Sequence, residues 1–303
     1  DELIKACADF ADQEDLSNCL LDSCDEDGRL DIQVYTDGAP AEFGQATGMM
    51  VNVVTKDGGD EHHGTAYLGF AHDASFDQTY LILDPDKGKE VETQKRTMLE
   101  PEISLTAGGP IVQEKLWYYL ALDGSYTDRV YEGMIFNGVP THYQETGVQG
   151  FGKLTWFVSP DLSLQYQFAG AITSIDNYRT SVQTTPAAQS VYHNNDQAHM
   201  ATLRWRPDAR TEFQLKGTYS GGPVDEEPSS GNYDIPSIEN KETGQRTGNL
   251  DSGDLNDRSR LGWSTSWLHL MEGTTGQHKF KLGAEQWRLS DSRELIYTGP
   301  GDG

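Results

Sequence analysis

Beyond residue 24 the chain contains no cysteine. The three it has, Cys7, Cys19 and Cys24, allow at most one intramolecular disulfide. Their C-x11-C-x4-C spacing fits no zinc pattern, and no histidine lies near. A local disulfide and three reduced thiols both stay open. Positive charge is scarce: 23 Lys and Arg stand against 48 Asp and Glu, for a net charge of −25. That excludes a general binder of nucleic-acid backbones and a polybasic membrane-surface anchor, because both need a basic footprint. No window approaches the roughly 18 apolar residues of a membrane-spanning helix. The opening DELIKACADF lacks a charged start and a long apolar core, so no signal peptide is expected in this stretch. No G-x-S-x-G elbow, P-loop, G-x-G-x-x-G or H-E-x-x-H occurs, so no enzyme and no cofactor are expected. Hydrophobic content is only 36% in 303 residues, low for a compact soluble core. Aromatics at 10% and 32 glycines nevertheless argue against disorder.

What is present divides the chain. Residues 1–31 carry eleven acids and two bases, with the apolar spacing of a short helix in LIKACADFADQ. DSCDEDGRLD has some features of a calcium loop, but Val34 stands where the bidentate Glu is needed, which favours a solvated acidic turn. Past Leu30 the period becomes two, and residues 50–56 read as a strand. Further on, Leu162, Leu164, Tyr166 and Phe168 alternate with Ser163, Gln165 and Gln167. Ala201, Leu203 and Trp205 alternate with Thr202, Arg204 and Arg206, and Phe213, Leu215 and Tyr219 with Glu212, Gln214, Lys216 and Thr218. Nine such strands are expected, near 64–71, 102–109, 115–127, 148–158, 161–173, 197–206, 210–219, 259–271 and 277–289. With no helix between them, the pairing should be antiparallel. Short connections (110–115, 159–161, 207–209, 272–276) alternate with long ones (72–101, 128–147, 174–196, 220–258). A transmembrane β-barrel has this rhythm, with tight turns at one rim and long loops at the other. Trp117, Tyr118, Tyr119, Trp156, Phe157, Trp205 and Trp267 lie near the short turns, as an interfacial aromatic girdle would.

Residues 41–70, AEFGQATGMMVNVVTKDGGDEHHGTAYLGF, resemble the plug-to-barrel junction of TonB-dependent outer-membrane receptors, the Oar-like subgroup in particular. The pattern is carried by Ala41, Glu42, Phe43, Gly44, Gly48, Asn52, Val53, Thr55, Lys56, Gly58, Gly59, His63 and Gly64. Met49, Asp57 and His62 depart from it, standing where Gly, Ser and an aromatic are usual. A second motif, Gly108-Gly109-Pro110-Ile111 through Lys115-Leu116-Trp117-Tyr118-Tyr119, resembles the family's turn between the second and third barrel strands. Gly44, Gly48, Gly58 and Gly59 would permit positive φ or close backbone approach.

The resemblance implies an all-β fold: an incomplete transmembrane barrel of about nine strands, with the C-terminal part of a plug before it. The expected division is 1–61, an acidic segment and the end of a plug, and 62–303, a partial barrel. The ending at GPGDG reads as an unfinished loop, and nine strands cannot close a barrel of that class, so a part of a longer protein is expected. The implied function is that of an outer-membrane receptor taking up an unknown ligand, with outer-membrane lipid and a TonB-type energising complex as partners and no nucleic acid. The competing reading is a soluble or surface-attached β-rich binding module. Two clusters carry potential metal ligands. Asp60-Glu61-His62-His63 puts adjacent side chains on opposite faces of a strand, which favours a structural role for His63. Asp225-Glu226-Glu227 reads as part of a solvated surface loop, with cation binding as the alternative. Arg204, Glu212 and Lys216 are the residues expected to hold the plug's tail.

Overall fold

The computed structural model describes residues 31–35, 50–72, 80–84, 89–93, 97–136, 139–179, 183–273 and 276–300. The expected N-terminal helix, the three cysteines and the motif residues Ala41, Glu42, Phe43, Gly44, Gly48 and Met49 lie outside these residues. Strands β1 (Asp31–Tyr35) and β2 (Met50–Val54) pair with each other in a separate two-stranded sheet. The wall begins at β3 (His63–His72). A small hairpin of β4 (Tyr80–Asp84) and β5 (Lys89–Thr93) precedes β6 (Thr97–Val112). Then come β7 (Leu116–Phe136), β8 (Val139–Ser159), β9 (Leu162–Asp176), β10 (Ser190–Asp208) and β11 (Thr211–Pro228). A second small hairpin, β12 (Ile238–Glu239) and β13 (Arg246–Thr247), interrupts the chain before β14 (Ser252–Gly273) and β15 (Gly276–Tyr297).

Nine of these form one antiparallel sheet in chain order, with β3 and β15 as its edges. They are the nine strands that the alternation predicts. A meander of this kind forces successive connections to opposite ends. Residues 113–115, 160–161 and 209–210 turn at one end, and the 177–189 and 229–251 segments at the other.

The strands run further than the hydrophobic alternation does. Strands β7 and β8 are 21 residues each, so the long loop expected at 128–147 is mostly paired backbone. The extra ladder carries polar pairs where the apolar ones stop. Arg129 pairs with Glu100, and His142 Nδ1 lies 2.7 Å from Asp128 Oδ1. The Tyr143 hydroxyl donates to Glu145 at 2.8 Å. The first two cross between strands and stabilise the ladder as apolar pairs do, the third joins neighbours on β8, and none leaves a period in hydrophobicity to read.

Register sorts side chains onto two faces. On one lie Leu162, Leu164, Tyr166, Phe168 and Ile172, an eleven-residue band. Leu164 stands beside Trp156 on β8 and Leu203 on β10, and Leu203 beside Leu215 on β11. Leu120, Leu122, Leu154, Trp156, Leu215, Leu261 and Leu282 are all exposed on this outer face. A contiguous apolar surface of that extent needs an apolar neighbour, and eleven residues match a tilted strand crossing hydrocarbon. The opposite, inner face carries Ser163, Gln165, Gln167, Thr202, Arg204, Gln214 and Lys216.

The girdle needs correction. Residues adjacent on a strand point to opposite faces, so Trp117, Tyr118 and Tyr119 cannot all meet lipid. Tyr118, Trp156, Trp205, Phe213 and Trp267 share the outer face. Trp117, Tyr119 and Phe157 share the inner one, and Trp117 packs edge-on against Phe157 with centroids 5.5 Å apart.

The two faces predict unequal tolerance of charge. Leu164→Arg should destabilise the protein in lipid vesicles by about 2–4 kcal/mol, the cost of a guanidinium on the lipid face of a barrel. Gln165→Arg should cost far less. A urea titration of both variants in vesicles checks the order.

Candidate functional site

The inner wall carries the candidate site, because a short segment of chain lies on it. Residues 55–62 lead from β2 to β3 and are fastened by side chains of β7, β8 and β9. The Lys153 ammonium on β8 donates to the Thr55 carbonyl at 3.1 Å and to its hydroxyl at 3.2 Å. It also lies 3.0 Å from Asp57 Oδ1. Thr155 donates to the same Asp57 oxygen at 2.7 Å, and Gln167 Nε2 to the Thr55 hydroxyl at 3.4 Å. Trp117 Nε1 donates to Asp60 Oδ1 at 2.8 Å, and Gln113 to the Asp60 carbonyl at 3.2 Å. The holding groups are therefore not the expected ones. Arg204 and Arg206 turn to Glu212 instead, at 3.6 and 2.7 Å, and Lys216 makes no contact with residues 55–62 among the described residues. The sequence signal for Lys153 was its place: a lone cation in the inward register of β8.

The two motifs meet in space. His63 stands opposite Gly108 in the β3–β6 ladder, and a Cβ at Gly108 would lie 2.8 Å from its ring. A Cβ at Gly109 would lie 2.2 Å from His62 Nδ1. The His62 ring also packs near Tyr118, with centroids 6.2 Å apart. Gly64 lies against the Thr106 carbonyl, 2.6 Å from where its Cβ would be. The glycine pair of one motif thus makes room for the histidine pair of the other. Pro110 pairs with Trp117 across the turn that holds Lys115, where the Lys115 amide donates to the Val112 carbonyl at 3.0 Å. Asn52 sits in β2 opposite Gln33. Lys56 lies between the two residues that Lys153 holds. No group of three or more His, Cys, Asp or Glu positioned for a metal occurs among the described residues.

Two grooves open along the inner wall. One, of about 370 Å³, is bordered by Asp57, Asp60, Trp117, Arg204 and Arg206. The other, of about 740 Å³, lies between β7 and β15 and is lined by Asp123, Asp196, Arg258, Arg260 and Asp291 among others. There the Arg260 guanidinium stacks 3.8 Å from the Trp287 ring centroid. Gly262 permits this, since a Cβ there would fall 2.1 Å from the indole. Asn194 Oδ1, Thr218 Oγ1 and Asn256 Oδ1 on this inner register are buried and lack a hydrogen-bond partner among the described residues.

The long-loop end is built, not merely solvated. Glu226 lies on β11 and not in a loop, and it is buried. Arg179 donates to its Oε2 at 2.8 Å, and the Ser190 hydroxyl to its Oε1 at 2.6 Å. That carboxylate raises the Arg179 guanidinium further above its ordinary range. Asn249, nearly fully buried, donates to the carbonyls of Asn232 at 2.8 Å and Ile235 at 3.1 Å. Gly248 adopts φ +83°, and a side chain there would strike the Pro236 carbonyl. The 177–189 and 229–251 segments are tied together where the Thr185 amide donates to the Arg246 carbonyl at 3.0 Å.

Gly58 and Gly59 differ, although the motif has both. A Cβ on Gly58 would lie 2.2 Å from the Tyr118 carbonyl oxygen, whereas Gly59 has nothing within 4 Å. Neither has positive φ. Gly58→Ala should destabilise by about 1–3 kcal/mol, as overpacking does, and Gly59→Ala should stay within about 0.5 kcal/mol. Denaturant titrations of the two variants decide this.

No family model matches the chain. In sequence it is similar to the TonB-dependent transporter Oar of Myxococcus xanthus. The two are 24% identical over 169 residues, covering 48% of this chain and 16% of that protein. In structure it is similar to the outer membrane transporter YddB from Escherichia coli, with a TM-score of 0.52 at 11% identity. That match covers 88% of this chain and 41% of YddB. The siderophore receptor PirA from Acinetobacter baumannii gives a TM-score of 0.56 at 14% identity, covering 84% of this chain and 34% of PirA. The chain therefore matches less than half the length of each. Motifs, sequence likeness and fold agree: this chain is similar to a TonB-dependent outer-membrane receptor of the Oar kind, and its nine strands have the fold of part of such a receptor's barrel wall, left unclosed.

Proposed function

We propose that the protein acts as an outer-membrane receptor of the TonB-dependent type, taking a ligand at its long-loop end and passing it along the inner wall in energised uptake. The observation that carries this reading is the division of one sheet into two faces. An exposed apolar band lies on one side, and on the other a polar wall with chain fastened to it by hydrogen bonds. A soluble binding module would bury that apolar face against a second layer, and no other strand of the described residues packs as one.

In this reading residues 1–61 end a plug and 62–303 form barrel wall. The separate β1–β2 sheet supports the division, because β2 does not continue the wall alongside β3. The partners are outer-membrane lipid on the apolar face and a TonB-type complex acting on the plug. The ligand would meet the interlocked 177–189 and 229–251 segments first and the 740 Å³ groove next. The unpartnered Asn194, Thr218 and Asn256 oxygens support a polar occupant of the lumen.

Surface labelling tests the membrane placement and its direction. An epitope inserted after Lys241, in the 229–251 segment, should bind antibody on intact Gram-negative cells. One inserted after Pro160, in the β8–β9 turn, should bind only once the outer membrane is permeabilised. Labelling of both tags on intact cells, or of the Pro160 tag alone, would contradict the proposal.

A further inference from the structure

We propose that Lys153 is a latch that anchors the chain at Thr55–Asp57 to the barrel wall, so that any displacement of the preceding segment stops there. The inference rests on the reading of residues 1–61 as the end of a plug and adds to it the fixed point of its movement.

Lys153 is 4% exposed, and among the described residues it is the one buried lysine. An ammonium has three protons to give. Three acceptors stand within 3.2 Å of it, the Thr55 carbonyl, the Thr55 hydroxyl and Asp57 Oδ1, and all belong to the segment. The register neighbours of Lys153 on the wall, Tyr119 and Gln167, are not among its acceptors. A buried cation whose partners all lie on the segment ties its own desolvation to the segment's position. Lifting Thr55 and Asp57 away would leave it unpaired in the wall, a costly state.

The neighbouring contacts set where flexibility ends. Before Thr55, β2 pairs only with β1. After it, Asp57 and Asp60 are held by Thr155 and Trp117, and Gly58 between them lies close against the Tyr118 backbone. Tension applied from the N-terminal side thus reaches Lys153 first, and the hydrogen bonds at Asp57 and Asp60 share what passes it. Asp57 is half-exposed, so water can compete for its side of the pair while the lysine side stays covered. The clasp is therefore covered on the wall side and hydrated on the segment side.

Lys56, between the two clasped residues, provides the test. Trypsin cuts where some residues on either side of the bond can extend into its cleft, so a clasped Lys56 is protected. Limited trypsin digestion of the full chain in detergent micelles, followed by mass spectrometry, measures cleavage after Lys56. Lys153→Met should speed it at least tenfold over the wild type, and Lys153→Arg should restore most of the protection. Cleavage within the wall, after Arg204 and Lys216, should not change. Lys216→Met, which removes a lysine of the same face, should leave Lys56 protected. If Lys153→Met does not fold, the pair Asp57→Asn and Thr155→Val keeps the lysine in place and should speed cleavage severalfold. An unchanged rate after Lys56 overturns the latch, as does an equal rise at the wall sites, which would make Lys153 a general support of the sheet. Either outcome leaves the membrane placement to the epitope experiment, so the two proposals fail separately.

Discussion

On the proposed membrane placement, backbone hydrogen bonding in a medium without water governs this architecture. Each unpaired N–H or C=O in hydrocarbon costs several kcal/mol, so a strand that crosses lipid must be paired on both sides along its length. The chain meets this with the simplest connectivity available, each strand beside its sequence neighbours, from β3 to β15. Continuous antiparallel ladders then fix the side-chain alternation: one face takes Leu, Trp and Phe, the other Gln, Thr, Arg and Lys. A slip of one residue in any pair would turn the polar set toward lipid, so register and environment enforce each other.

The polar face holds its segment of chain in a different way. Apolar burial is non-directional and would grip a segment over its whole area. A few hydrogen bonds to Thr55, Asp57 and Asp60 grip it at points. At the long-loop end the solution differs. Arg179 and Ser190 bond Glu226, Asn249 separately ties Asn232 and Ile235, and the Thr185 amide joins the two loop segments at the Arg246 carbonyl. If this end binds the proposed ligand, such pre-organisation lowers the ordering cost of binding.

Much of this was legible in the sequence, for a physical reason. Residues inside the hydrophobic band answer to lipid on one side and polar surroundings on the other, so they leave a strict period of two. That period located all nine strands and assigned Leu164 and Gln165 to opposite faces. Where the strands leave the band, as at 128–129 and 142–146, polar residues stand on both faces and the period vanishes although the pairing continues. The aromatics near the turns were read by proximity alone, which put Trp117 and Phe157 with the girdle when parity sends both inward. The two motifs were visible, but not that His62 and His63 fit against Gly109 and Gly108, because that contact joins residues about 45 positions apart. Lys153 shows in the sequence only as a lone cation in the inward register of β8; its partner does not, because it meets Thr55 across 98 positions. Arg204, Lys216 and Glu212 share the inner face with Lys153, but residues 55–62 bond to β7, β8 and β9, and face alone does not tell which strands a segment crosses.

Quenching of single tryptophans by brominated lipid tests the central claim, that one face of this sheet meets hydrocarbon and the other does not. Trp156 and Trp117 lie near the same rim but on opposite faces. Two variants of the chain, each keeping one of these and replacing the other five tryptophans by phenylalanine, are folded into vesicles containing dibrominated phosphatidylcholine. Trp156 fluorescence should be strongly quenched, while Trp117, sheltered against Phe157 and Asp60, should be quenched little. Equal quenching of the two, or stronger quenching of Trp117, would contradict the account.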